Sequence, residues 1–295
     1  MGRCIRRSKS GRGQIRFRPR NEEIENDLQK SLDAGASVWV VGDIHGFSIT
    51  FENLVDILEL SDNDRVVVLG DLIDRGPDSY NVVKIVQSDS RIYSTKGNHE
   101  QMMVEGFIPN GIPNKLEANL WLRNGGIATA ASYIRAFTDE NGQENSIALE
   151  TEIVADKQWM NCLPTHLILD KWRLVHAGYD PRTDLDEQGE AEHLWIRTPF
   201  HNSQTAIDEQ RCVVFGHTPT MLLFGGSNDN YGKVWYSDTR LQDGRAASIG
   251  IDTCLFHEQQ LPAWLSAINL QTMEVRQMPR VEIWNDQARH LAKIP

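Results

Sequence analysis

Cysteine is scarce and scattered in this chain. The four residues, Cys4, Cys162, Cys212 and Cys254, form no CxxC pair. That spacing argues against a thiolate zinc site and gives no support to a disulfide framework, so the four read as reduced thiols, mostly core filler, in a cytoplasmic protein. No run of about 18 apolar residues exists, which excludes a bilayer-spanning helix of the usual kind and with it a membrane partner. No apolar h-region follows the N-terminus, so no secretory signal is read. Acidic side chains are missing from residues 1–20, which hold eight of the 30 Lys and Arg. The remainder carries 22 basic against 41 acidic residues, a balance of −19, and so acidic a body excludes stable nucleic-acid binding by the main domain. Repeats and low-complexity segments are missing outside the arm.

What is present is ordinary globular material, 40% apolar and 24% charged over 295 residues. The reading divides it into a basic, flexible arm (1–36), a main domain (37–278) and a tail (279–295) with no assigned role. Residues 37–42 (SVWVVG), 65–70 (RVVVLG) and 91–97 (RIYSTKG) are short β-branched runs that predict buried strands. Between them, 48–60 carries apolar residues at helical spacing, and 77–87 reads as a helix with Pro77 near its start, as suits a first turn. This order predicts parallel strands joined by right-handed crossovers. Residues 104–161 read as mainly helical. Strand patterns return after Pro164, at 166–170, 173–178, 211–217, 233–238, 248–253 and 263–270. The fold class is therefore α+β.

Each of the first three strands runs into a polar cluster: GDIHG, GDLIDRG and GNHE. Asp43, Asp71 and Asn98 stand 28 and 27 residues apart, about one strand–helix unit each, which puts them side by side at the carboxyl ends of adjacent strands. His45 follows Asp43 by two residues, and in an extended segment both would face one metal. LVHAG and FGHTP add His176 and His217, each just after an apolar strand. These six oxygen and imidazole donors, without a thiolate, suit two divalent cations, manganese first and iron or zinc next. Arg75, then Arg197 in LWIRTP, are the candidates to grip phosphoryl oxygens. His99 is placed to protonate a leaving alkoxide, with Asp74 fixing its tautomer.

GDIHG, GDLIDRG, GNHE, LVHAG and FGHTP together resemble the signature set of the phosphoprotein phosphatase family of metallophosphoesterases, above all its bacterial and bacteriophage lambda-type members. GNHEQMM, WLRNGG, HAGYDP, LWIR, GHTP and IDT extend the likeness from about Val38 to Leu270. Lys96 stands where an Arg is common, and Ile73 where Val is usual. The resemblance implies an α/β/β/α four-layer sandwich of two mixed sheets. It implies one metal held by Asp43, His45 and Asp71 and a second held by Asp71, Asn98, His176 and His217. It also implies hydrolysis of phosphoserine and phosphothreonine, with phosphotyrosine in some members, by direct attack of a metal-bridging hydroxide. The expected partner is then a phosphorylated protein or peptide; the oligomeric state is left open. The alternative is a symmetrical bis(5'-nucleosyl)-tetraphosphatase or another small-phosphoester hydrolase. GNHE with DRG leans toward the protein phosphatase. A non-catalytic scaffold is disfavoured, because all six donors and His99 are kept.

Overall fold

The computed structural model describes residues 19–107, 115–226, 228–257 and 263–282. Ten strands occur among them. They are β1 (Val38–Val41), β2 (Arg65–Val68), β3 (Ile92–Ser94), β4 (His166–Ile168) and β5 (Trp172–Val175), then β6 (Cys212–Phe215), β7 (Trp235–Tyr236), β8 (Ser248–Gly250), β9 (Trp264–Asn269) and β10 (Val275–Pro279). The helices are α1 (Glu22–Asp33), α2 (Ser48–Leu58), α3 (Ser79–Ser88), α4 (Asn98–Gly106), α5 (Lys115–Trp121), α6 (Ile127–Ala136), α7 (Ser146–Asn161), α8 (Glu190–Trp195), α9 (Thr198–His201) and α10 (Thr220–Leu223).

The strands form two five-stranded sheets, ordered β10-β9-β1-β2-β3 and β4-β5-β6-β8-β7. β1, β2 and β3 are mutually parallel, as are β5, β6 and β8; β9, β10, β4 and β7 join antiparallel. The pleat explains why β1 is apolar at every position. Val38 and Val40 point between the sheets, against Leu167, Leu174, Val214 and Ile249. Trp39 and Val41 point the other way, onto Phe51, Leu54, Val82 and Val83 of α2 and α3. A strand buried on both faces cannot alternate with polar residues. On the far side of the second sheet, Val175, Val213 and Phe215 pack against Phe200 of α9. Two mixed sheets flanked by helices form the expected four layers.

The predicted boundary at residue 36 is displaced. Residues 22–33 form α1, which carries Ile24, Leu28 and Leu32 at helical spacing and buries Leu28 completely at the edge of the inter-sheet core. Asn21 caps it through its side chain. Asp27 on α1 receives hydrogen bonds from Arg65 (2.6 Å) and Tyr93 (2.9 Å). The boundary at 278 moves as well: β10 runs to Pro279, and Glu282 reaches back to α2. The rest of the arm (1–18) and of the tail (283–295) lies outside the described residues. Pro77 stands just before α3, whose N-cap is Asp78, rather than in its first turn. Among the described residues no helix is long and apolar enough to cross a membrane.

Candidate metal centre

The three first clusters end adjacent parallel strands, and the chain reverses sharply at each. Among the described residues, five of the eight non-glycine residues with φ between 50° and 74° belong to this region: His45, Asp71, Asp74, Arg75 and His217. Strained backbone of this kind persists only where the surroundings hold it. Asp43 and His45 do face one site, but not through an extended segment as the i, i+2 spacing predicts. His45 adopts φ 50°, and the turn is pinned by hydrogen bonds from the Ile44 and His45 N–H groups to the Asp71 carbonyl (3.1 and 2.8 Å).

All six predicted donors are buried and converge. Asp71 lies at the centre and turns one oxygen to each side. Its Oδ2 is 3.6 Å from His45 Nε2, and its Oδ1 is 3.4 Å from His176 Nε2. Asp43 Oδ2 is 4.0 Å from His45 Nε2, and both Asp43 oxygens accept the His217 N–H (3.0 and 3.1 Å). His176 Nε2 stands 2.8 Å from Asn98 Oδ1 and 3.1 Å from His217 Nδ1. Two groups have metal-ligating geometry among the described residues: His45, Asp71 and His99, and Asp71, His176 and His217. The first contains His99 where the sequence reading placed Asp43. His99 already has partners for both ring nitrogens, Asp74 at Nδ1 (2.6 Å) and Arg75 at Nε2 (2.9 Å).

The donor set fits a cation. His176 Nδ1 gives its proton to the Leu69 carbonyl (2.7 Å), which leaves Nε2 as a lone pair. That lone pair faces Asn98 Oδ1, His217 Nδ1 and Asp71 Oδ1. With Asp71 ionised, only His217 Nδ1 can place a proton among these four atoms, and buried acceptors facing one another are costly. His45 is arranged likewise, its Nδ1 bonded to the Ile73 carbonyl (3.0 Å) and its Nε2 turned to the site. Such outward hydrogen bonds orient ligand imidazoles. Gly97 lets the backbone approach: a Cβ there would stand 2.2 Å from Asp71 Oδ1.

Electrostatics points the same way. Burial, then the charges of Asp252 and Asp71, raises the Asp43 carboxyl well above its usual range. Burial, then Glu100, does the same to Asp71. Burial pushes His176 down to about 3 and holds His45 and His217 well below the usual imidazole value. Crowded carboxylates and neutral imidazoles are what a divalent cation relieves.

The predicted phosphate and acid groups border the same cleft. Asp71, Arg75, Asn98, Asn124, Trp195, Arg197 and His217 line a cavity of about 200 Å³. Arg75 reaches His45 and His99 (2.6 and 2.9 Å) with its guanidinium 4.0 Å over the Phe256 ring. Arg197 bonds Thr218 Oγ1 at 2.7 Å. Sequence reasoning gave Glu100 no role, yet its carboxylate accepts the N–H groups of Gly97, Asp71 and Leu72 (2.8, 2.9 and 2.8 Å) and ties the second cluster to the third. Phe256 and Trp195 were given no place in the site either; Trp195 lies in the LWIR segment, whereas Phe256 sits in no distinctive motif. His193 is buried and has an Nε2 without a hydrogen-bond partner among the described residues.

A family model for calcineurin-like phosphoesterases matches residues 36–243. The chain belongs to the calcineurin-like phosphoesterase family. Members of this metallophosphoesterase family use divalent metal ions, and the His and Asp groups above are this member's candidate ligands. The chain is 30% identical to "Serine/threonine-protein phosphatase 1" of Salmonella typhimurium over 198 residues, covering 66% of this chain and 84% of that one. It is 38% identical over 66 residues to "Bis(5'-nucleosyl)-tetraphosphatase, symmetrical" of Wigglesworthia glossinidia brevipalpis, 22% of this chain and 24% of that one. The fold is also that of a solved candidate diadenosine tetraphosphatase, at a TM-score of 0.51 and 20% identity, covering 82% of this chain and 93% of that chain.

Proposed function

We propose that this phosphoesterase is a protein phosphatase acting on phosphoserine and phosphothreonine, and on phosphotyrosine as a secondary substrate. The observation that carries the reading is Asp71, which offers a separate carboxylate oxygen to each of two donor groups inside a cleft lined by two arginines. The similarity to a serine/threonine phosphatase over two thirds of the chain supports the choice of substrate. Asp43, His45 and Asp71 would hold one cation, and Asp71, Asn98, His176 and His217 the other. When bound, two divalent cations, manganese first and iron or zinc next, supply an activated water and neutralise charge at phosphorus. Arg75 and Arg197 grip phosphoryl oxygens; Arg75 exchanges its contacts with His45 and His99 for them. The doubly protonated ring of His99 gives its Nε2 proton to the leaving alkoxide and is left as the Nδ1–H tautomer, which Asp74 holds. The partner is a phosphorylated protein or peptide and the compartment the cytoplasm.

The second reading, a symmetrical dinucleoside tetraphosphatase, is favoured by the shorter but closer similarity over 66 residues. A side-by-side assay with added manganese separates them. Turnover of phosphoserine and phosphothreonine peptides well above that of diadenosine tetraphosphate is expected; exclusive cleavage of the dinucleotide overturns the protein phosphatase.

A further inference from the structure

Asp74 is wholly buried and takes φ 74°, so something other than solvent must hold it. Its two oxygens are used differently. Oδ2 faces only His99 Nδ1, at 2.6 Å, among the hydrogen bonds described. Oδ1 accepts the Thr129 hydroxyl at 2.6 Å and the Trp121 indole N–H at 3.0 Å. The Asp74 backbone N–H is shared between Thr129 Oγ1 (2.9 Å) and Ser79 Oγ (3.0 Å), and those two hydroxyls lie 2.9 Å apart. Trp121 and Thr129 come from α5 and α6, in the helical segment that the sequence left without a task.

The segment between them is shaped for this. The helix breaks at Leu122–Gly126, where Gly125 takes φ 114°. The Gly125 carbonyl accepts the Arg75 N–H at 3.2 Å, and a Cβ on Gly125 would stand 2.7 Å from Arg75 N and Cγ. A Cβ on Gly126 would stand 2.5 Å from the Trp121 indole. The WLRNGG stretch therefore seats Arg75 and Trp121 at once, and neither glycine can be replaced without displacing one of them.

We propose that Trp121 and Thr129 are positioning residues for proton transfer by His99: by occupying Oδ1 they reserve Oδ2 of Asp74 for the imidazole. A carboxylate gripped at one oxygen cannot rotate to trade its partners, and the ring it holds stays in one orientation. The helical segment thus acts on the chemistry through a hydrogen-bond relay without touching substrate. This rests on the reading of His99 as the acid.

Thr129→Val removes the donor to Oδ1, and Thr129→Ser keeps it. With a phosphoserine peptide, whose alkoxide needs the proton, Thr129→Val is expected to lower kcat by about 10-fold or more. With p-nitrophenyl phosphate, whose leaving group does not, the loss stays under about 3-fold. Thr129→Ser restores the peptide rate, and Trp121→Phe gives the same split in milder form. The latter also serves if Thr129→Val does not fold. In metal-free protein the low-field NMR resonance of the His99 Nδ1 proton is expected to persist in Thr129→Ser and to broaden or move in Thr129→Val. His99→Asn, run in parallel, separates the two ideas. If it shows no split between substrates, the acid reading fails and the inference fails with it. If it splits while Thr129→Val and Trp121→Phe slow both substrates equally, or neither, the acid reading stands and the positioning role is refuted.

Discussion

Asp71 and Glu100 show what one carboxylate can settle. Asp71→Asn keeps the shape but removes the charge shared by both donor groups, so activity is expected to fall near background and bound manganese, measured by elemental analysis, to drop below the wild-type content. Glu100 holds the backbone beneath. Glutamine there has one carbonyl oxygen for three N–H donors, and its amide would meet at least one of them donor to donor. The cost is about 1–3 kcal/mol, read as a melting temperature lower by about 2–4 °C per kcal/mol. An unchanged melt would show that the three bonds are dispensable. That the six candidate donors would meet was legible in the sequence because each is marked by glycine at a strand end, a local signal. Glu100, Trp121 and Thr129 were not legible as partners of Asp71 and Asp74. Their roles depend on contacts across 28 to 55 residues; GNHE and WLRNGG single out Glu100 and Trp121 without saying what they touch, and nothing local marks Thr129.

At the scale of elements, the apolar runs of β1, β2 and β3 predicted buried strands because burial on both faces leaves little choice of residue, and their alternation with helices predicted the parallel pairing that the sheet shows. α1 escaped notice for the opposite reason. It buries only a narrow stripe, and its charged residues merge with the arm in composition. α2 has a similar long-range dependence. Its N-cap, Phe47, offers no side-chain cap. Glu282, more than 230 residues away, accepts the Ile49 and Thr50 N–H groups (2.7 and 3.1 Å) and the Thr50 hydroxyl. An acidic group at a helix N-terminus satisfies free donors and opposes the helix dipole. Glu282→Ala is expected to cost about 0.5–2 kcal/mol, seen as a lower denaturant midpoint with an unchanged slope. α2 begins three residues after His45, so metal affinity should weaken in parallel; a normal midpoint would refute the cap.

For the whole molecule, the two sheets trap titratable groups whose effects on stability oppose one another. Burial lowers His166 to about 2, His193 to about 4 and His201 to about 4. Near pH 6.5 an unfolded chain protonates these imidazoles while the folded one does not. Each therefore contributes stability that is present above pH 6.5 and is lost as pH falls toward the folded value, at about 1.4 kcal/mol per pH unit at most. Burial raises Asp43 and Asp74, the latter to about 7, and carboxyls raised by folding act with the opposite sign. The absolute acid limb mixes the two, so a difference between variants is the cleaner measure. His193 is the group to change. Its ring lies beside His166 and near Arg173 and Glu192; its Nδ1 meets Thr165 Oγ1 at 2.9 Å, while Nε2 has no partner among the described residues. Asparagine can reach the Thr165 hydroxyl from the position of Nδ1 and cannot titrate. His193→Asn is therefore expected to lose less stability than wild type between pH 6.5 and 4.5, by about 1–2 kcal/mol once relaxation is allowed for. Urea titrations at fixed manganese would measure it. Parallel pH curves for the two proteins would mean that His193 is protonated in the folded state, and that the neutral imidazole core between the second sheet and α8 is misjudged.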